Sequence, residues 1–428
     1  MLFNQALTYI SLFSGAGVGC YGFLEEGFEC IATNETLEKR LNIQRINNKC
    51  KFDEGYICGD IKELEIKEKI LKRIEFYSKN FGNDRVDLVV ATPPCQGMSV
   101  ANHKKKNDEI KRNSLVVESI DLIKQIKPRF FILENVPSFY KTGCIDKNDN
   151  LLEIGTMIEQ NLSGDYRLYD EVINFKNFGA NSSRTRTLVI GVCKEFKDFV
   201  SALEFFPDFK EEKTLKEVIG SLKPLTWGEY DSADFYHSFR TYPKHMQEWI
   251  KDLKEGQSAF ENVQDAISDL AYLCSNEGAF ESDYLNPIQS SYQALMRKDS
   301  PKLYNHQATN HSQAALEKLK LINKEQGKEC LPKNLHGKQQ FKSTWGRLNW
   351  NKISPTIDTR FDTPSNGTNS HPELHRSITP REAVRIQSFS DNYIFYGNKT
   401  SICKQIGNAV PPLLALALGK AILKSLRK

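Results

Sequence analysis

Tyr9-Ile10-Ser11-Leu12-Phe13-Ser14-Gly15-Ala16-Gly17-Val18-Gly19 is the stretch that decides the fold. An apolar run, Tyr9–Phe13, leads into glycines at every second position and then into a helix-compatible segment. Strand, tight turn and helix in that order open many nucleotide-binding sheets, although a plain tight turn would read the same way in isolation. Small residues at the turn let a ligand approach the backbone, and the helix N-terminus beyond it favours polar or anionic groups. Working outward, further strands are expected at Phe28–Ala32, Tyr56–Cys58, Val86–Ala91, Phe130–Leu133, Arg167–Ile173 and Thr187–Cys193. Helices are expected at Ile61–Tyr77 and Ser114–Ile126. Apolar runs without alternation suit strands covered on both faces, so the expected class is α/β with a parallel, Rossmann-like sheet.

At 428 residues the chain exceeds one typical domain, so a core with a second lobe is expected. The formal charge of +4 permits a nucleic-acid partner without arguing for one. No apolar run reads as long enough to span a bilayer, and the N-terminus lacks a signal-peptide pattern. None of the ten cysteines forms a Cys-x-x-Cys pair, so neither a zinc site nor a disulfide framework is expected, and a reducing cytoplasm fits. Residues 195–345 turn polar, rich in Lys, Gln, Asn and His, with one amphipathic helix expected at His245–Leu273. The chain becomes apolar again after Ile353 and ends in an apolar helix, Pro411–Leu423. The expected organisation is a catalytic core over 1–194, a recognition domain over 195–370 with its variable part at about 195–345, and a returning segment over 371–428.

Two acids follow successive strands, Glu35 after Phe28–Ala32 and Asp60 after Tyr56–Cys58. A carboxylate at the tip of the second strand is placed to accept hydrogen bonds from ribose hydroxyls, and Asp60 is placed to meet an adenine amino group. Either acid alone would read as a solvated loop charge; beside a Gly-rich turn the pair points to an adenosyl ligand. The other conspicuous segment is Ala91-Thr92-Pro93-Pro94-Cys95-Gln96-Gly97-Met98-Ser99, at the end of the most apolar strand. Two prolines fix the backbone before the thiol and Gly97 allows a sharp turn after it. A reactive cysteine needs such a defined strand-end position.

Pro93 through Gly97 resembles the nucleophile motif of the DNA cytosine-5 methyltransferases of bacterial or phage restriction-modification type. The family's other motifs follow in order. Phe13 to Gly19 is similar to its cofactor loop, Glu134-Asn135-Val136 to its Glu-Asn-Val, and Arg184-Thr185-Arg186 to its Arg-x-Arg. Arg376 to Gln387 resembles the motif that closes the recognition lobe, and Lys404 to Pro412 the C-terminal motif that returns to the cofactor pocket. The family usually has Asp at Ser11, Gln at Ser182 and Ser at Ala409.

The resemblance implies S-adenosylmethionine as cofactor, held by Phe13, Ser14, Gly15, Gly17, Gly19, Glu35, Asp60, Ile61, Pro94, Leu115, Asn408 and Ala409. It implies Cys95 as nucleophile and Glu134 as proton donor at cytosine N3, with Arg184 and Arg186 dividing two tasks: reaching the base carbonyl and bracing Glu134. Their alternative is phosphate contact or a surface ion pair. Double-stranded DNA is the implied partner, with a cognate restriction endonuclease acting on the same site and a monomeric enzyme. Candidate DNA contacts are Gln96, Ser99, Lys104, Lys105, Arg297 and Arg347, of which the lysines belong to a charged stretch, His103–Arg112, that reads as a closing lid. Three rivals stand beside this reading. A tRNA methyltransferase of the same superfamily would carry a Cys-Phe-Thr tripeptide that this chain lacks. A dead regulatory homologue would lose Cys95 or Glu134. A nicotinamide dehydrogenase would not need Pro-Pro-Cys-Gln.

Overall fold

A computed structural model of the protein describes residues 6–94, 113, 115–178, 180, 182–195, 230–231, 234–238, 281–282, 284, 287–288, 291–323, 326–336 and 343–426. The chain divides into two compact units: Met1–Pro207 with Thr356–Arg360 and Tyr393–Lys428, and Asp208–Pro355 with Phe361–Asn392.

In the first unit the apolar runs become strands β1 (Thr8–Leu12), β2 (Glu29–Glu35), β3 (Tyr56–Cys58), β4 (Leu88–Ala91), β5 (Phe130–Asn135), β6 (Tyr166–Asn174) and β7 (Thr185–Cys193). They form one sheet in the order β3-β2-β1-β4-β5-β7-β6. The first five strands are parallel, as the βα alternation requires, but β7 runs antiparallel to both β5 and β6. The expectation of a wholly parallel sheet fails there for a simple reason. Only residues 175–184 join β6 to β7, too short a link for the crossover that a parallel pair needs. The order is Rossmann-like, as expected.

Alternation along each strand feeds two cores. Ile10, Ile31, Val89 and Phe131 face α3 (Leu64–Phe81), α4 (Leu115–Ile126) and α5 (Ile154–Leu162). Tyr9, Val90, Ile132 and Ile190 face α1 (Tyr21–Glu25) and the C-terminal helix, Pro412–Leu426. Both sides are dry, which is why the strands read as unbroken apolar runs. Close approach of α1 to the C-terminal helix depends on Gly22, where a Cβ would fall 2.1 Å from the Pro412 carbonyl oxygen. Residues 399–426 are together long and apolar enough to pass for a membrane span, contrary to the expectation of no such run. They are two helices broken at Asn408–Pro411, and Leu414, Leu418 and Ile422 are buried against the sheet.

The second unit has its own polar core. Arg376 makes a bidentate pair with Glu382 at 2.8 Å through each nitrogen, and Arg385 pairs with Asp391 at 2.6 and 2.9 Å. Thr379 and Glu382 close a capping box at the start of helix Pro380–Ile386. This network groups 371–392 with the second unit rather than with the returning C-terminal segment. The helix expected at His245–Leu273 lies outside the described residues.

Candidate active site

The cofactor loop begins where β1 ends. Phe13 adopts φ 53°, Gly15 φ 56° and Gly17 φ 87°, a left-handed run that only glycine adopts cheaply. Around it several backbone groups are held. Ser14 donates its N–H to Asn34 O at 3.0 Å, and Gly17 donates to Ser14 O at 2.8 Å. Gly15 N–H reaches Glu35 Oε2 at 3.0 Å, and the Tyr393 hydroxyl donates to Ala16 O. Gly17 has no room for a side chain, since a Cβ would meet Gln44 Cγ at 2.9 Å. Gly15 is the opposite: nothing lies within 4 Å of where its Cβ would be. A backbone cradle open at Gly15 fits a flat, polar ligand.

Glu35 is the last residue of β2, not a loop residue beyond it, because the strand runs three residues past its expected end at Ala32. It is 5% exposed, so it is not the solvated loop charge that the acid alone would have read as. Its Oε1 accepts from Leu37 N–H at 3.3 Å, the Thr36 hydroxyl at 3.1 Å and Arg40 at 3.0 Å. Asp60 is half-exposed after β3 and accepts from Lys62 N–H at 3.0 Å, a turn that delays α3 to Leu64 and leaves Ile61 buried. Pro94 and Leu115 are half-buried, Asn408 caps helix Lys399–Gly407 and is exposed, and Ala409 is fully buried.

Gly19, Thr92, Glu134, Leu188, Val410 and Leu414 line one small, mostly apolar pocket. That pocket joins the glycine loop, the tip of β4, the tip of β5 and the C-terminal motif. Among the described residues that line it, Glu134 alone is charged. Burial pushes its carboxyl above the ordinary range, opposed by the charges of Arg186 and then Arg184. Arg186 Nε touches Glu134 Oε1 at 3.1 Å and so supplies the brace. Arg184 corrects the other half of that expectation. Its guanidinium is buried and donates to the carbonyls of Ile357 and Gly407, tying β7 to two returning segments of the same unit. Reaching a base carbonyl is not open to it in that geometry.

Several residues that carry the site were not singled out from sequence. Asn135 is buried and donates to Pro93 O at 2.9 Å while its Oδ1 accepts from Val136 N–H at 2.8 Å, so β5 directly fixes the segment that leads to Cys95. Thr92 donates to Phe13 O at 3.1 Å, linking the tips of β4 and β1. Both lie inside quoted motifs, and polarity at a buried strand end was the available signal. Cys95, Gln96, Ser99, Lys104, Lys105 and the whole of His103–Arg112 lie outside the described residues.

Of the recognition-lobe candidates, Arg347 is a correction. It is 4% exposed, and its guanidinium donates to the carbonyls of Leu319, Ile322, His371 and Leu374 at 2.6 to 3.0 Å. Four hydrogen bonds to carbonyls and a fifth to the His375 ring make a strut, not a DNA contact. Tyr292 and His306 are likewise buried, bonded to Arg385 O and Thr379 Oγ1. Arg297 is half-buried and stacks 3.6 Å from the Tyr284 ring centroid.

A sheet with one reversed strand, a glycine cradle at β1 and an acid closing β2 defines the class of S-adenosylmethionine-dependent methyltransferases. Within it, the model of the C-5 cytosine-specific DNA methylases matches residues 7–424, and the chain belongs to that family. Among its relatives, the type II methyltransferase M.DdeI of Desulfomicrobium norvegicum is 28% identical, over 97% of this chain and 88% of its own. M1.HgaI of Avibacterium volantium is 25% identical over 95% of each chain. The rice DNA (cytosine-5)-methyltransferase 1A is 26% identical over 85% of this chain but only 24% of its own length. A crystal structure described as a putative DNA modification methyltransferase encoded within an Escherichia coli prophage superposes with a TM-score of 0.59 at 23% identity, covering 99% of this chain and all of that one; the likeness concerns the fold.

Proposed function

We propose that the enzyme methylates C5 of a cytosine within a specific double-stranded DNA sequence, on a base turned out of the helix, through a covalent bond between Cys95 and cytosine C6. The observation that carries this reading is Glu134: a largely buried carboxyl with a raised pKa at a strand tip, braced by Arg186, in the pocket that the C-terminal motif lines.

The chemistry follows from what cytosine lacks. Its C5 is too weak a nucleophile to take a methyl group until a thiolate adds at C6. Addition places electron density on the ring, and the proton of neutral Glu134 moves to N3 as the sulfur–carbon bond forms. Arg186 holds Glu134, and in this reading it would also meet the base carbonyl, a double role in place of the division expected between the two arginines. S-adenosylmethionine supplies the electrophilic methyl group, and the residues that would hold it are Phe13 to Gly19, Glu35, Asp60 and Asn408. C5 then loses its proton to a water base, the thiolate of Cys95 leaves, and N3 returns its proton to Glu134 as the aromatic ring is restored. Neither face of a stacked cytosine admits this sequence, so the base must be extruded.

The names of the type II relatives support a role in restriction-modification, with an endonuclease cutting the same sequence when it is unmethylated. The test is to map 5-methylcytosine in the DNA of a host expressing the chain. One recurring sequence context should be methylated with the wild type and none with Cys95→Ser; a host genome without 5-methylcytosine would contradict the proposal.

A further inference from the structure

Below the cofactor loop lies a lysine in an unusual place. Helix Glu38–Ile46 ends at Asn47, Asn48 turns the chain with φ 50°, and the Lys49 N–H returns to Gln44 O at 3.0 Å. This left-handed turn is a common helix stop, and here it sends the next side chain inward. Lys49 is 4% exposed. Its ammonium donates to Ser11 Oγ at 3.0 Å on β1 and to Thr33 Oγ1 at 3.1 Å on β2. A buried ammonium held by hydroxyls is costly, and a methionine of similar volume would avoid that cost.

The hydrogen-bond directions show what the charge does. An ammonium can only donate, so Thr33 Oγ1 must accept from it and spend its own proton elsewhere. That proton goes to Gln44 Oε1 at 2.7 Å. The Gln44 amide is thereby oriented with Nε2 outward, donating to Ser14 Oγ at 2.8 Å and Gly15 O at 2.7 Å. Gly15 O cannot donate, so this orientation is required from both ends. Each donor in the chain is polarised by the one before it, and the charge at its head strengthens every link. Gln44 also fills the space that would hold a side chain on Gly17.

We propose that Lys49, Thr33 and Gln44 act as one polarised hydrogen-bond chain that holds the Ser14–Gly17 loop in its cofactor-binding shape. Lys49 and Gln44 are then positioning residues, acting on S-adenosylmethionine through the loop without touching it. The inference rests on the reading that this loop holds the cofactor.

Calorimetric titration of the enzyme with S-adenosylmethionine, whose Kd should follow KM, and steady-state methylation of duplex DNA with the tritiated compound test it. Thr33→Val keeps the shape and removes the relaying hydroxyl; Thr33→Ser restores it. Thr33→Val is expected to raise KM for S-adenosylmethionine roughly tenfold, the size of one lost charge-assisted hydrogen bond, with kcat within about twofold. Thr33→Ser should match the wild type. Should Thr33→Val not fold, Gln44→Met breaks the same chain one link further on and should show the same KM effect. Valine and serine variants with the same KM, or a valine variant that loses kcat alone, would overturn the proposal. Glu35→Ala is the control for the underlying reading. If it raises KM while Thr33→Val does not, the chain is idle but the loop assignment stands. If both leave KM unchanged, the loop does not hold the cofactor and the proposal falls with it.

Discussion

Two glutamates, each beside an arginine and largely withdrawn from solvent, behave in opposite ways. Glu382, in the second unit, meets Arg376 through both oxygens at 2.8 Å and also accepts the Thr379 N–H at 2.8 Å. Burial pushes its carboxyl up, but the charge and hydrogen bonds of Arg376, helped by His371 and His306, hold it at about 2. Glu134, in the first unit, has one contact at 3.1 Å with Arg186, while Arg184 nearby points its guanidinium at backbone carbonyls. Burial therefore wins, and the carboxyl is raised. One glutamate is committed to its charge and ties a helix start to the loop before it. The other is pushed toward holding its proton, the direction a proton donor needs. Depth of burial does not explain the difference, since Glu382 is the more deeply buried of the two; the donors aimed at each carboxylate do.

The comparison predicts different responses to the same change. At neutral pH, Glu382→Gln should cost about 3–5 kcal/mol of stability, because it leaves the Arg376 charge buried without its partner. Glu134→Gln should change stability by no more than about 1 kcal/mol, since it removes a carboxyl whose ionised form was disfavoured. Urea unfolding of both variants checks this, and similar losses would dissolve the distinction. The pH dependences should also oppose. A depressed carboxyl such as Glu382 contributes stability above its unfolded value of 4.5 that is lost as pH falls toward about 2. The raised Glu134 works in reverse: its contribution is present below 4.5 and lost as pH rises through its folded value.

A smaller effect separates Glu35 from Asp60. Both alanine variants should weaken S-adenosylmethionine binding in calorimetric titration. Only Glu35→Ala should also lower stability, by about 1–3 kcal/mol, because the Gly15 N–H loses its acceptor. Unchanged affinity in both would remove them from the site.

Much of the first unit was legible in the chain because its strands are buried on both faces and its chemistry sits at strand ends. Phe130–Leu133 marked β5, and Glu134 follows it directly. What could not be read was direction and partnership. Nothing in Thr187–Cys193 announces an antiparallel strand; that depends on the short link before it. Arg184 and Arg186 look interchangeable in sequence, yet one is spent on carbonyls and the other on Glu134. Arg347 resembled a DNA contact because a charged residue in a polar lobe is usually exposed, and its four carbonyl partners come from two distant segments. Lys49 gave no sign of burial for the same reason. Long-range partners decide what a charged side chain does, and local composition does not carry them.

The central claim is that Cys95 attacks cytosine C6 with Glu134 as the acid, and trapping tests it most directly. Fluorine at C5 cannot leave as a cation, so a duplex with 5-fluorocytosine at the target should stop the reaction after methyl transfer. In the presence of S-adenosylmethionine, the wild-type enzyme should form an adduct that survives denaturant. Cys95→Ser should form none, because an unactivated hydroxyl is a far weaker nucleophile than a thiolate. Glu134→Gln should form it slowly while binding DNA normally, and an adduct persisting in Cys95→Ser, or absent from the wild type, would contradict the account.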